Sequence, residues 1–331
     1  MAIDILSLEP TKISRNLKGK YVLVYGAPKI GKTSFAAKFK KNLLCAFEMG
    51  FNAIDGIYAQ PINKWSEFEQ ILRQLEKPAA KEKFDTVTID TVSIAYSLCE
   101  KYVCEQNDVQ KISDIPWGQG WGLVKSRFEA CLRKITMMGY GLILITHQEI
   151  HKEKDGENEI EKYAPALDKR AYEICNRLVD VIGYIAQEWD EDGTEHRYLY
   201  TRQTPRVVAG SRFKYLEPKI EFGYENLVKA INDAIDKQEN LDGATVVDYV
   251  PQEVKEENLD YNAIREEARQ LWTTLTSSDD DEQNQDMANR IMKRIEMIFG
   301  RPMKLSEISE NQVDLFNTVL IEMRALAEEL K

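Results

Sequence analysis

Apolar and polar positions in the first half of the chain fall into short blocks of two kinds. Tyr21-Val22-Leu23-Val24-Tyr25 is an unbroken apolar run closed by Gly26, residues 43–47 form a second run closed by Glu48-Met49-Gly50, and residues 142–146 form a third. Such short runs predict strands buried on both faces of a sheet. Residues 84–89 alternate and end on Asp90, which predicts a further strand. Between these runs the apolar period lengthens to that of a helix. Residues 32–41 place Phe35, Ala36 and Phe39 on one side, and helical spacing recurs over 65–75, 92–104 and 123–138. Strands alternating with helices predict an α/β fold of βαβ units around a mostly parallel sheet.

Further on, residues 178–186 and 197–202 read as two more strands, an antiparallel hairpin turning at Asp192-Gly193, and 224–235 as a closing helix. Residues 237–262 are polar, acidic and interrupted by Pro251, the composition of a linker. Helical stripes then resume. Ile264, Ala268, Leu271, Trp272 and Leu275 form one, and Met287, Ile291, Ile295 and Ile298 another. Val313, Phe316, Val319, Leu320, Met323, Leu326 and Leu330 form a third, preceded by the capping box Ser309-Glu310-Asn311-Gln312. The expected organisation is an α/β core over 1–236, a linker over 237–262 and a small helical interaction module over 263–331.

Charge sharpens that division. From Lys237 onward there are 21 acidic and 11 basic residues, which leaves 34 acidic against 33 basic in 1–236, so the net charge of −11 belongs almost wholly to the tail. The first part, at a net of −1, is nearly neutral and compatible with a nucleic-acid partner. No run approaches the ~18 apolar residues needed to cross a bilayer, and the start MAIDILSLEP lacks the basic, then apolar pattern of a signal peptide. A cytoplasmic protein without a membrane partner is expected. Five cysteines without CxxC spacing predict buried free thiols in place of disulfides or a zinc ribbon. The acidic run 279–282 precedes a helical stripe and reads as a solvated helix start. His147-Gln148-Glu149-Ile150-His151 has its glutamate in the third position, out of register for a metalloprotease helix, so zinc is not expected.

The chemistry concentrates at the first strand–helix junction. Gly26-Ala27-Pro28-Lys29-Ile30-Gly31-Lys32-Thr33, followed by Ser34, matches GxxxxGK[ST] without a mismatch, between a strand and a helix. Glycines allow a tight turn whose N–H groups converge on an anion. Lys32 is then placed for the β- and γ-phosphates, and the Thr33 hydroxyl for Mg²⁺. ATP and Mg²⁺ are the expected cofactors. Asp90 ends the alternating strand, where a second magnesium-coordinating carboxylate belongs, and is followed by Thr91, not by a glutamate base. Glu48, at the end of the strand after the phosphate-loop helix, is the candidate for the residue that activates water. Thr146-His147-Gln148 ends the central strand, and His147 and Gln148 are candidate sensors of the γ-phosphate.

This set resembles the RecA/RadA branch of P-loop ATPases and, more closely, the phage-encoded RecA-core proteins counted among single-strand annealing recombinases. The resemblance covers residues 15–236 and implies a RecA-like P-loop NTPase core that acts on single-stranded DNA as a homo-oligomeric ring or filament. It also implies an arginine that reaches a neighbouring subunit's nucleotide; the matching stretch is Gly210-Ser211-Arg212-Phe213, with glycine where that branch carries lysine. Either Arg212 acts alone, Lys214 substitutes, or hydrolysis is slow. The DNA-facing loops of that branch correspond to 106–121 and 149–167. Trp117 and Trp121 in the first either stack on bases or pack against the core. The second mixes Lys152, Lys154 and Lys162 with five acidic residues and is no basic patch. The tail resembles interaction modules of phage recombination proteins, with a single-strand binding protein or another replication or recombination protein as partner. The implied activity is a slow, DNA- or assembly-stimulated ATPase in recombination or annealing. The alternative is an ATP-switched replication or helicase-loading adaptor that hydrolyses little.

Overall fold

The computed structural model describes residues 10–15, 19–155, 158–248 and 259–329. Their contacts divide them into two compact units, residues 10–248 and residues 259–329.

The larger unit is an α/β fold built in chain order. β1 (Ile13–Ser14) and β2 (Tyr21–Gly26) lead to α1 (Lys32–Ala37), followed by β3 (Asn42–Ala46) and β4 (Tyr58–Pro61). Helices α2 (Trp65–Leu75) and α3 (Pro78–Lys83) precede β5 (Thr86–Asp90), and α4 (Val92–Gln106) and α5 (Gln119–Met137) precede β6 (Gly141–Asp155). Then come β7 (Asn158–Pro165), α6 (Lys169–Leu178), β8 (Val181–Trp189), β9 (Glu195–Tyr200), β10 (Gly210–Ser211), β11 (Lys219–Glu221), α7 (Tyr224–Asp242) and β12 (Val246–Val247).

Among the described residues ten strands form the main sheet, in the order β11-β9-β8-β2-β6-β5-β3-β4, with β10 added to β8 and β7 to β6. From β4 to β8 the neighbours run parallel; β9 and β11 are antiparallel, so the sheet is mostly parallel. The period-2 geometry of β2 explains why its sequence is apolar throughout. Leu23 and Tyr25 enter a core with α2, α4, α5 and α6, while Val22 and Val24 enter a second core with α1 and α7. Each such side chain contributes about 1.5–3 kcal/mol of burial. β6 lies between the phosphate-loop strand β2 and the Asp90 strand β5, pairing Gly26 with His147 and Asp90 with Ile145.

Several expectations are displaced. The helix after the phosphate loop ends at Ala37, not residue 41, because its last turn tightens: the amides of Lys38 and Phe39 donate to Phe35 and Ala36, three residues back. Within residues 149–167, expected as a loop, 149–155 continue β6 and pair with β7, from Gln148 opposite Pro165 to Asp155 opposite Asn158. The strand expected from 178 begins at Val181, because α6 occupies residues up to Leu178. The helix expected over 224–235 runs to Asp242 and stops at Gly243, whose φ of 69° supplies a left-handed cap. Asp242 accepts from Lys214 Nζ and Tyr215 Oη, Arg15 pairs with Asp236 and Glu239, and β12 pairs with β1. Residues 237–247 therefore pack as part of the larger unit. Their polarity is that of a solvated helix face, which composition alone cannot distinguish from a linker.

The smaller unit comprises α8 (Tyr261–Leu275), α9 (Asp281–Phe299) and α10 (Val313–Glu329), around Ile264, Ala268, Ile291, Ile295, Phe316 and Leu320. The acidic run caps α9: Asp280 accepts from the amides of Glu282 and Gln283. Ser309 and Gln312 form the expected capping box ahead of α10. All five cysteines are buried and free. Among the described residues no helix is long and apolar enough to cross a membrane.

Candidate nucleotide site

The loop between β2 and α1 turns because two glycines permit it. A Cβ on Gly26 would stand 2.9 Å from the Ile185 carbonyl oxygen of the neighbouring strand. Gly31 has φ 105°, and a Cβ there would stand 3.1 Å from the Arg197 guanidinium. Arg197 donates from Nη1 to the Ile30 carbonyl at 3.1 Å, clamping the loop from the β9 side. Phe222 stacks on Phe35 of α1 beneath it, with ring centroids 5.1 Å apart.

At the carboxyl edge of the sheet, where β2, β3 and β5 end side by side and β6 runs on past His147, lies a cavity of about 390 Å³. Phosphate-loop residues Pro28, Lys29, Gly31, Lys32, Thr33 and Ser34 line one side, and Glu48, Gly50, Asp90 and His147 the other. Of the sequence candidates in the loop, Ile30 turns into the core, and Gly26 and Ala27 contribute their carbonyls. The Asp90–Thr91 peptide is cis.

Lys32 is buried, and its ammonium donates to the carbonyls of Gly26 at 3.1 Å and Ala27 at 2.8 Å. Among the described residues no carboxylate forms an ion pair with it, and burial lowers its pKa, partly offset by the charges of Asp90 and Glu48. Thr33 Oγ1 donates to Asp90 Oδ2 at 2.6 Å. Burial pushes the Asp90 carboxyl up, against the Thr33 hydrogen bond and the charge of Lys32, with Glu48 adding to the rise. A buried cation and a buried carboxylate thus sit near each other, each short of counter-charge. A phosphate beside Lys32 and a divalent cation between Thr33 and Asp90 would satisfy both, so the donor set fits a magnesium nucleotide.

Glu48 is held by the register of β3 beside β5: the amides of Phe47 and Glu48 both donate to the Asp90 carbonyl, at 2.7 and 3.0 Å. Its Oε2 lies 3.2 Å from His147 Nε2, and His147 Nδ1 lies 3.5 Å from Lys32 Nζ. The ammonium can only donate, so Nδ1 accepts and Nε2–H donates to Glu48, a tautomer assigned from the network. The two sensor candidates part company. Successive residues of a strand point to opposite faces, so His147 faces the cavity while Gln148 accepts from Tyr184 Oη at 3.3 Å.

Arg212 is not brought to this cavity. β10 pairs Ser211 with Val181 at the amino end of β8, whereas the loop strand meets Ile185 farther along. There Arg212 contacts Asp180 Oδ1 at 3.1 Å and the carbonyls of Arg177 and Leu178, closing the end of α6. The two tryptophans also diverge. Trp117 is 93% exposed, whereas Trp121 packs against the core with the Arg170 guanidinium 4.3 Å from its ring centre.

Three features had no local signal in the sequence. Arg197 reaches the loop across 167 positions. Gly50 lines the cavity two residues beyond Glu48. The Tyr25 hydroxyl, inside the loop strand, donates to the Val208 carbonyl at 2.7 Å and lies 2.9 Å from that of Tyr163, tying β2 to the hairpin that continues from His147.

This geometry agrees with two comparisons. The AAA domain family matches residues 18–213. The SPbeta prophage-derived uncharacterized protein YorG of Bacillus subtilis (strain 168) is 31% identical over 337 residues, spanning 99% of this chain and 100% of that protein. With the family match covering more than half of the chain and enclosing the whole phosphate loop, the chain belongs to the AAA domain family, P-loop proteins that bind nucleotide with a divalent metal.

Proposed function

We propose that the chain is an ATPase that works on single-stranded DNA as a recombination or single-strand annealing factor, assembled as a ring or filament. The observation that carries the reading is the convergence of Lys32, Thr33, Asp90, Glu48 and His147 on one cavity. In this reading Lys32 binds the β- and γ-phosphates, Thr33 and Asp90 hold Mg²⁺, and the loop amides from Lys29 to Ser34 complete the cradle. ATP bound there supplies a phosphoanhydride whose terminal phosphoryl group passes to water. Glu48 orients that water and takes its proton, a role that the absence of a glutamate after Asp90 leaves open. His147, bonded to Glu48 and facing Lys32, holds the carboxylate in place and carries the state of the site into the β6–β7 hairpin.

The DNA half rests on the RecA-core resemblance, on the exposed Trp117 as a stacking surface, and on the neutral balance of residues 1–236. One observation favours a second reading, an adaptor that holds ATP as a switch and hydrolyses little: Arg212 spends its hydrogen bonds on Asp180 and the end of α6. The division into an ATPase core, a linker and a C-terminal interaction module belongs to the same proposal, with a single-strand binding or other recombination protein as the module's partner.

Steady-state ATP hydrolysis with and without single-stranded DNA tests the reading. Stimulation by DNA of ten-fold or more is expected. A measurable rate indifferent to DNA would sink the DNA half, and tight ATP binding without turnover would favour the adaptor.

A further inference from the structure

We infer that the C-terminal unit carries a docking groove for an acidic peptide segment of another protein, anchored by an apolar side chain. The groove is a cavity of about 580 Å³ whose wall includes Ala268, Trp272, Met292, Leu305 and Phe316. Trp272, Met292 and Leu305 are half-buried, so apolar surface is left facing the cavity. Its size suits one or two side chains and the backbone joining them.

The rim gives the partner's chemistry. Arg265, Arg269 and Lys304 line the groove, and all three are exposed. Arg265 and Arg269 lie one turn apart on the same face of α8, an arrangement of like charges that disfavours the helix slightly. Carboxylates are plentiful nearby: residues 259–331 hold 15 acidic and 9 basic residues. Elsewhere in the unit three of those acids form ion pairs, with Arg290 on Glu329, Arg294 on Glu322 and Arg324 on Glu267. Among the described residues, none forms an ion pair with the three groove cations. A locally basic rim around an apolar floor, within an acidic unit, is complementary to acidic residues flanking an aromatic or aliphatic one.

A nucleic acid would also meet cations and a tryptophan. The groove favours a peptide because its floor is concave and mixes Trp272 with Met292 and Leu305 instead of presenting a row of aromatic rings, and because the surrounding excess of carboxylates repels a continuous phosphate backbone while leaving room for a short segment. The groove's case rests on the helical unit alone and is independent of the nucleotide chemistry.

The test uses the full chain and a fluorescein-labelled peptide Asp-Asp-Asp-Asp-Leu-Phe, read by fluorescence anisotropy at low salt. Saturable binding with a Kd of about 100 µM or tighter is expected, the range of a short transient contact. Arg269→Glu and Lys304→Glu should each weaken it ten-fold or more while keeping the wild-type circular dichroism. Replacing Leu-Phe in the peptide by Ser-Ser should weaken it equally, and this arm needs no protein variant. The inference is overturned if the peptide does not bind, if both variants bind it as wild type does, or if the Ser-Ser peptide binds as tightly. It is also overturned if charge reversal releases a (dT)20 oligonucleotide that the wild type had bound in preference to the peptide.

Discussion

Replacing Glu48 by glutamine isolates the chemistry of the site from its architecture. The side chain is 45% exposed, so the change should cost folding no more than about 0.5 kcal/mol. The glutamine amide oxygen can still accept the His147 Nε2–H bond, now 3.2 Å from the carboxylate, so the neighbouring groups should hold their positions. Lys32, Thr33 and Asp90, which contact the phosphates and metal in the proposed arrangement, are untouched. ATP affinity should therefore stay within about two-fold of wild type. What disappears is a base able to take a proton from water, an effect of about 10²–10⁴ in rate, or about 2.7–5.4 kcal/mol of barrier. The assay pairs calorimetric binding of ATP and magnesium with steady-state phosphate release, at a protein concentration where wild type turns over measurably. Glu149→Gln is the control, because Glu149 pairs with His151 at 2.8 Å on the β6–β7 hairpin outside the cavity. Hydrolysis by Glu48→Gln at the wild-type rate would refute the assignment and send the search for the base elsewhere.

Lys32→Ala should remain folded and lose ATP binding by 100-fold or more, since the charge facing the phosphates goes; wild-type affinity by calorimetry would defeat the nucleotide-site reading. A chain ended at residue 248 should keep the thermal stability of the larger unit, whereas one ended at 240 loses the Asp242 bonds and the β1–β12 pair and should melt several degrees lower. Equal melting temperatures would show that those contacts contribute nothing. Burial holds the Lys20 ammonium down to about 8, below its ordinary value of 10.5, with Asp180 opposing the shift. The folded state thus disfavours the proton that the unfolded chain keeps, so stability is penalised below about pH 8 and recovered as pH rises towards 10.5. Compared with Lys20→Met by denaturant titration, wild type should gain stability between pH 7.5 and 10; a constant difference would refute the assignment.

Much of this protein could be read along the chain because the decisive signals were local. The β2 run, GxxxxGKT and the helix period of residues 65–75 each depend on neighbours within a few positions, where sterics and burial act directly on the sequence. The ends of elements were less legible. Residues 237–242 look like linker because they are polar, yet they continue α7, since bonds from Arg15, Lys214 and Tyr215 hold that turn in place. The pairing of residues 149–155 with 158–164 was hidden for a related reason: charged residues alternate on strands that pair with each other outside the sheet's core.

The site divided in the same way. Lys32, Thr33 and Asp90 follow from motif and strand order, but only the folded sheet separates His147 from Gln148 by turning them to opposite faces. Tertiary structure alone carried Arg197 to Ile30 and Arg212 to the end of α6, because a long side chain finds its partner by the packing of distant elements. The sequence by itself determined that a GxxxxGKT loop would join a buried strand to a helix and which strand ends would lie beside it. Three-dimensional packing decided which of the charged residues reach it, since pairing and burial are properties of neighbours in space.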